Sequence, residues 1–309
     1  MGFEVVIPPI LVLFLLIVTG FIVGKTHLLS DKASGDLTQI LLKVAVPFNI
    51  INSMSREFET ELLIDAAICF GASMVIFLLA LLLGRFLAKV FSVDMKHRGS
   101  WEVAMAFSNT GFMGFPVAEA LYGSKGVFLT AMMVMSFNIL MYTVGAKVTL
   151  RDSKETFKLS LPKLLITPIN IATVLGLIIF IGQIQLPGFV QTVAADFGAL
   201  VTPVSMFAIG LNIEKGNIKD AFLDKDCYSA ALLRLVLVPL LILVCTKFFP
   251  FKEASIVPGV LTLIMAMPSP SATFMLAEQY HADTIFASRV IFITTLLSLV
   301  TVPVLMLLV

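Results

Sequence analysis

The stretch Ser108–Val117, SNTGFMGFPV, lies between the apolar runs Trp101–Phe107 and Val117–Leu121, where a membrane-spanning helix is predicted. Asn109, Gly111, Gly114 and Pro116 each work against a continuous helix there. Relative to Ala, an interior glycine costs about 1 kcal/mol and a proline about 3 kcal/mol. In lipid the freed backbone groups have no water to turn to, so broken helix at membrane depth occurs where it is buried in protein or lines a wet cavity. A second such place, Met267–Ser271 (MPSPS), follows 159 residues later. Two interrupted spans at corresponding positions of two halves point to the binding site of a secondary transporter.

The composition agrees. Of 309 residues 59% are hydrophobic and only 13% charged, against roughly 25% charge in soluble domains, and mean hydropathy is +1.02. The expected surroundings are therefore a lipid bilayer. A net charge of +1 gives no sign of a nucleic-acid partner. Cys69, Cys227 and Cys245 are odd in number and widely separated, which fits neither a disulfide framework nor a metal spacing. They read as small apolar fillers, and no cofactor is expected. Glu4 and the absence of Lys or Arg before the first apolar run make that run a span, not a cleaved signal peptide.

Ten spans are predicted: 3–23, 34–51, 62–90, 101–122 and 126–146, then 161–181, 189–211, 228–248, 255–280 and 284–308. The breaks fall in the fourth and ninth. Connections after spans one, three, five and seven hold thirteen Lys and Arg: Lys25, Lys32, Lys89, Lys96, Arg98, Lys147, Arg151, Lys154, Lys158, Lys163, Lys215, Lys219 and Lys225. The other face holds four, Arg56, Lys125, Lys247 and Lys252. By the positive-inside rule the first set is cytoplasmic and both termini are non-cytoplasmic. Trp101 is placed at a cytoplasmic interface, and His27, His97 and His281 in solvated loops on that face.

Five spans per half forces two similar halves into opposite orientations. An offset of 156 brings Val46-Pro47-Phe48-Asn49 onto Thr202-Pro203-Val204-Ser205, and an offset of 159 brings Asn109-Thr110 onto Pro268-Ser269. The expected organisation is a first five-helix repeat over 1–146, a cytoplasmic linker over 147–160 and a second, inverted repeat over 161–309.

The run NTGFMGFPV resembles the NTxxMGxP pattern of the auxin efflux carrier family, which joins plant PIN carriers to bacterial malate-permease-like proteins. MPSPSATFMLAEQYHAD and SGDLTQILLKVAVPFNI are similar to that family's ninth-span and second-span segments. Ser108 stands where the plant carriers have proline, and the long hydrophilic loop of many plant members is absent, so the pattern is closer to a bacterial member. The resemblance implies an all-α membrane protein of ten helices in two inverted repeats, of the bile-acid-symporter and antiporter type. Spans one, two, six and seven would be a scaffold through which a homodimer forms, and spans three to five and eight to ten a mobile unit. Helices four and nine would cross at mid-membrane, with an organic anion beside the crossing, in a multi-pass protein of the cell membrane.

The residues carry their own chemistry. Half-helix N-termini present unpaired N–H groups and about half a positive charge, and such ends bind carboxylates. Asn109, Thr110, Ser269 and Ser271, beside Gly111, Pro268 and Pro270, either touch a ligand or cap the helix ends. Val46, Pro47 and Asn49 would, by the resemblance, face the crossing, with an interhelical hydrogen bond as the alternative for Asn49. Asn138 is either pocket lining or packing glue. Lys43, Arg234 and Arg289 lie inside spans, where a charge costs at least about 3 kcal/mol. They either snorkel to the surface or attract an anionic substrate. Glu119 and Glu278 are either interfacial charges or coupling carboxylates.

The reading is a carrier of a small organic anion, a carboxylate such as malate or an auxin-like acid, by elevator-type alternating access. Its rivals are a cation- or proton-coupled carrier of the same fold and a transporter-like receptor. Sodium coupling would need acidic residues within the breaks, and neither break holds one. An intramembrane hydrolase would need a base near Ser269 or Ser271, and no histidine falls at that depth.

Overall fold

Three prolines set the local geometry of the spans. In the computed structural model, which describes residues 3–30, 32–153, 166–215, 224–252 and 255–309, Pro47, Pro116 and Pro239 follow widened, π-helical turns. The turns are Leu41–Ala45, Thr110–Gly114 and Leu233–Leu237, and each proline stands two residues beyond its turn. A proline ring collides with the carbonyl four residues back and has no N–H to give. That residue is Lys43, Phe112 or Leu235, the middle of the turn in each case. Widening the turn moves the carbonyl aside and lets the helix continue, with Val46 N–H reaching back five residues to Leu41 O and Val238 N–H to Leu233 O. Proline here re-aims a helix instead of ending it.

All regular structure among the described residues is helical. Among the described residues seven stretches are long and apolar enough to cross a bilayer, and Pro168–Gly182 and Val257–Ala266 are shorter apolar helices. The predicted fourth and fifth spans lie within one stretch, Arg98–Asp152, where Gly123, at φ +60° and ψ −153°, turns the chain in a conformation that disfavours a Cβ. The ninth span is divided between Val257–Ala266 and Ala272–Gln279. Residues 161–165 of the sixth span, 154–160 of the linker, and with them Lys154, Lys158 and Lys163, lie outside the described residues, as does Lys219.

The helices are numbered α1 Phe3–Lys25, α2 Ala33–Ile40, α3 Val46–Met54, α4 Thr60–Val90, α5 Arg98–Ala106, α6 Phe115–Leu140 and α7 Ala146–Thr149. After them come α8 Pro168–Gly182, α9 Gly188–Ala199, α10 Val201–Lys215, α11 Lys225–Leu232, α12 Val238–Lys247, α13 Val257–Ala266, α14 Ala272–Gln279 and α15 Thr284–Met306. They group into two units. The first holds Met1–Phe70, Gly111–Met135 and Leu165–Lys215; the second holds Gly71–Thr110, Ser136–Leu164 and Gly216–Val309.

In the first unit α1 and α10 lie backbone to backbone. A Cβ on Gly20 would meet the Phe207 carbonyl, and one on Gly210 the Ile17 carbonyl. Small residues are what let membrane helices approach so closely. Helix α3 packs on α8 and α9, where Gly176 meets Met54, and Phe48 stacks on Phe197 with ring centroids 5.1 Å apart. Phe180 joins Phe58 and Phe128 at 5.3 and 5.0 Å.

In the second unit α5 is buried from Gly99 to Ala106. The Asp152 carboxylate accepts from Gly99 N and Ser100 N, each at 2.7 Å, and from Ser100 Oγ at 3.0 Å, so two of the first turn's orphan amides are satisfied. Trp101 is fully buried rather than interfacial, because its indole N–H finds partners inside, Asp226 O at 2.9 Å and Ser229 Oγ at 3.0 Å. His97 likewise leaves the solvated loop expected for it. Its Nε2 lies 3.0 Å from Asp226 Oδ2, its Nδ1 3.6 Å from Asp283 Oδ2, and its ring stacks on Phe286.

Asp283 caps α15 by accepting from Phe286 N at 3.0 Å. Burial alone would raise its carboxyl, yet the Phe286 amide, Lys96 and His97 outweigh burial and hold it below the usual carboxylate range. A carboxyl lowered in the folded state stabilises above its unfolded pKa, and that stability is lost as pH falls through the folded value. Asp283→Asn should therefore lower the melting temperature at neutral pH and narrow its gap to the parent protein as pH falls below about 4. Thermal unfolding in detergent across that range is the measurement. A gap independent of pH would reject the linkage.

Candidate functional site

Both sequence-predicted breaks exist, and in the second unit their backbones meet. Helix α5 ends at Ala106, and Phe107 turns extended at φ −97°, ψ 144°. Helix α13 ends at Ala266, and Met267 turns extended at φ −63°, ψ 149°. The first break is narrower than the sequence suggests, running only through Phe107–Asn109, because Gly111, Gly114 and Pro116 belong to helix that resumes with a widened turn. The second runs through Met267–Ser271, where the two prolines interrupt the hydrogen-bond ladder. Asn109 N–H donates to Pro268 O at 2.7 Å, joining the breaks directly.

Ending two helices in an apolar interior leaves terminal carbonyls without intrahelical donors and the negative ends of two dipoles. Arg234 answers both needs. It is fully buried, with Nε donating to Met267 O at 3.1 Å and Nη1 to Ala106 O at 2.9 Å and Met105 O at 3.3 Å. Its Nη2 donates to Met265 O. One planar fork thus ties the last turns of α5 and α13 together, a task suited to guanidinium and not to ammonium. The widened turn before Pro239 carries Arg234. Arg234 neither snorkels nor contacts a carboxylate among the described residues; it ties the two breaks together.

Ser269 has a related role. Its hydroxyl donates to Ala104 O at 2.7 Å, and its N–H donates to Thr294 Oγ1 at 3.2 Å. Asn109 is half-buried, Asn138 and Pro268 and Pro270 are buried, and Ser271 is exposed at the start of α14. Four other hydroxyls on the broken spans, those of Ser108, Thr110, Thr262 and Thr273, are buried with no partner among the described residues. Leaving a buried polar group unsatisfied costs about 1–3 kcal/mol. Each of these hydroxyls on the two broken spans is a group that a polar ligand or an ordered water would satisfy.

The remaining predicted residues fall elsewhere. Arg289 pairs with Asp224 at 3.7 Å, and Glu278 is exposed in the last turn of α14. Lys43, Val46, Pro47, Asn49, Gly111 and Glu119 belong to the first unit. There Lys43 is exposed and donates to Gln39 Oε1 at 2.9 Å. Val46 is buried, Pro47 half-buried and Gly111 half-buried. Asn49 Nδ2 and Thr202 Oγ1 both donate to Glu119 Oε2, each at 3.3 Å. Glu119 thus has two donors inside the apolar unit, Asn49 itself being buried beneath Gly198. Thr202 escaped the sequence reading although the 156-residue offset pairs it with Val46. The capping role of Arg234 had a readable signal, a basic residue five positions before a proline inside an apolar run. The hydroxyls of Thr262, Thr273 and Thr294 had none, since threonine is ordinary in membrane helices.

Replacing Arg234 by Ala should strip both helix ends of their donors and cost on the order of 3–5 kcal/mol. Arg234→Lys should recover part of that, because an ammonium keeps the charge without the fork. Melting temperatures of the purified variants check the order parent, Lys, Ala; a Lys variant no better than Ala would show that charge contributes nothing there.

The pattern of the family described as membrane transport protein matches residues 5–160 and, a second time, residues 152–306. An uncharacterized transporter of Methanothermobacter thermautotrophicus is 24% identical over 298 residues, covering 95% of each chain. An uncharacterized transporter of Methanocaldococcus jannaschii is 23% identical over 300 residues, again 95% of each. With a multi-pass array of apolar helices and two broken spans joined at their breaks, the chain belongs to the membrane transport protein family, the auxin efflux carriers that its motifs resemble.

Proposed function

We propose that this transporter carries a small organic anion, a carboxylate such as malate or an auxin-like acid, by elevator-type alternating access. The observation that carries the reading is the crossing in the second unit. Two broken spans, held together by Arg234, carry four unsatisfied buried hydroxyls. Hydroxyls that lack partners favour a ligand able to hydrogen-bond, and the N-terminal amides of the resuming helix α14 favour an anionic one. Arg234 holds the site together and not the ligand, since the carbonyls of both helix ends already engage its Nε, Nη1 and Nη2. Direct contacts fall to Asn109, Thr110 and the first turn of α14, whose amides suit a carboxylate. The double family match, 5–160 and 152–306, supports two five-helix repeats of opposite orientation around a linker at 147–160. The Lys and Arg distribution favours non-cytoplasmic termini in the cell membrane. A homodimer through spans one, two, six and seven completes the proposal.

Purified protein in liposomes should take up labelled malate or a related carboxylate. Asn109→Ala should reduce the rate about tenfold or more, equivalent to about 1.4 kcal/mol for a lost polar contact, while the melting temperature holds. Unchanged uptake in that variant would remove Asn109 from the site.

A second reading, proton-coupled carriage, is favoured by one observation: Glu119, inside an apolar unit, holds two hydrogen-bond donors and no cation among the described residues. Intramembrane carboxylates of that kind are candidate proton carriers. If protons move with the anion, Glu119→Gln should abolish stimulation of uptake by an imposed pH gradient while leaving exchange of anion for anion intact. A gradient response that survives the substitution assigns coupling elsewhere or to no proton at all.

A further inference from the structure

Away from the crossing, the second unit holds a cavity of about 190 Å³ lined by Arg85, Lys89, Arg98, Arg151, Glu102 and Asp152, among others. We propose that it binds the phosphate of an anionic membrane lipid headgroup. The polar lining has four cations and two carboxylates; each carboxylate holds a partner, while Glu102 Oε1 is buried without one among the described residues. Glu102 is buried and accepts from Arg151, while Asp152 holds the first turn of α5. Arg98 donates through Nη2 to Val93 O at 2.8 Å, and its Nε is buried without an acceptor among the described residues. Arg85 and Lys89, one turn apart on α4, are exposed and form no ion pair among the described residues. The cavity therefore carries a net positive charge and a buried guanidinium N–H without an acceptor among the described residues, the chemistry that a phosphate satisfies. Since water takes about 30 Å³ in the liquid, there is room for a phosphate and its substituents.

The phosphate could be free or carried by lipid, and the surrounding surface favours lipid. Leu82, Phe86 and Val90 form an exposed apolar stripe on α4 beside Arg85 and Lys89, and Met95 at the cavity wall is exposed as well. In a chain that spans a bilayer, apolar surface takes acyl chains where neighbouring cations take the headgroup. The inference stands independently of which solute is carried.

The full-length protein in mild detergent should be offered phosphatidylglycerol or phosphatidylcholine at equal mole fraction, with retained lipid read by native mass spectrometry. Phosphatidylglycerol should be retained over phosphatidylcholine by about tenfold or more, as two cations near a membrane surface provide. The preference should vanish in R85Q/K89Q, persist in R85K/K89R, and survive millimolar inorganic phosphate. Both side chains are exposed, so the variants should keep the parent's melting temperature. Equal retention of the two lipids, a preference intact in R85Q/K89Q or lost in R85K/K89R, or displacement by inorganic phosphate would each overturn the assignment.

Discussion

A helix that stops inside a membrane protein leaves carbonyls that neither lipid nor water will satisfy, and here two helices stop together. Arg234 is what makes that tolerable. Its fork supplies donors to the last turns of α5 and α13, and its charge offsets the negative ends of both dipoles. Without it the two breaks would each carry unsatisfied acceptors in an apolar interior. Asn109 N–H to Pro268 O and Ser269 Oγ to Ala104 O then lock the same two segments against one another. The candidate binding chemistry depends on this junction, because broken spans can present amide ends and hydroxyls only if the breaks themselves are held.

Prolines contribute at a distance from where they sit. Pro239 forces the widened turn that carries Arg234, and Pro116 forces the one that follows the first break. Pro47 does the same beneath Asn49 in the first unit. In each case a missing N–H and a steric conflict four residues back are absorbed by one extra residue per turn. A helix adjusted this way stays continuous but faces differently, which is one reason widened turns are frequent at functional sites.

The two units differ in how they handle buried polarity. In the second, His97, Trp101, Asp226 and Asp283 join the beginnings of α5, α11 and α15 through side chains, so the helix starts are tied as firmly as the breaks. In the first, close glycine packing of α1 on α10 provides cohesion without polar groups, and Glu119 with Asn49 and Thr202 forms a separate polar cluster.

Hydropathy, the Lys and Arg distribution and the two clusters of Asn, Gly, Pro and Ser made a multi-pass transporter with paired breaks legible before any coordinates. Those features are local: apolar runs must be long enough for lipid, and residues that cannot continue a helix mark where it stops. What could not be read was which partner each polar side chain finds. Arg234 read as either a snorkelling charge or an attractor of anionic substrate, Trp101 as an interfacial anchor and His97 as a loop residue, and each is buried because its partners come from segments far away in sequence. Ser269 read as either a ligand contact or a helix-end cap, and its hydroxyl reaches Ala104 across 165 residues of chain. Hydrogen-bond partners separated by that distance are chosen by how the helices pack, and no spacing along one helix encodes that choice.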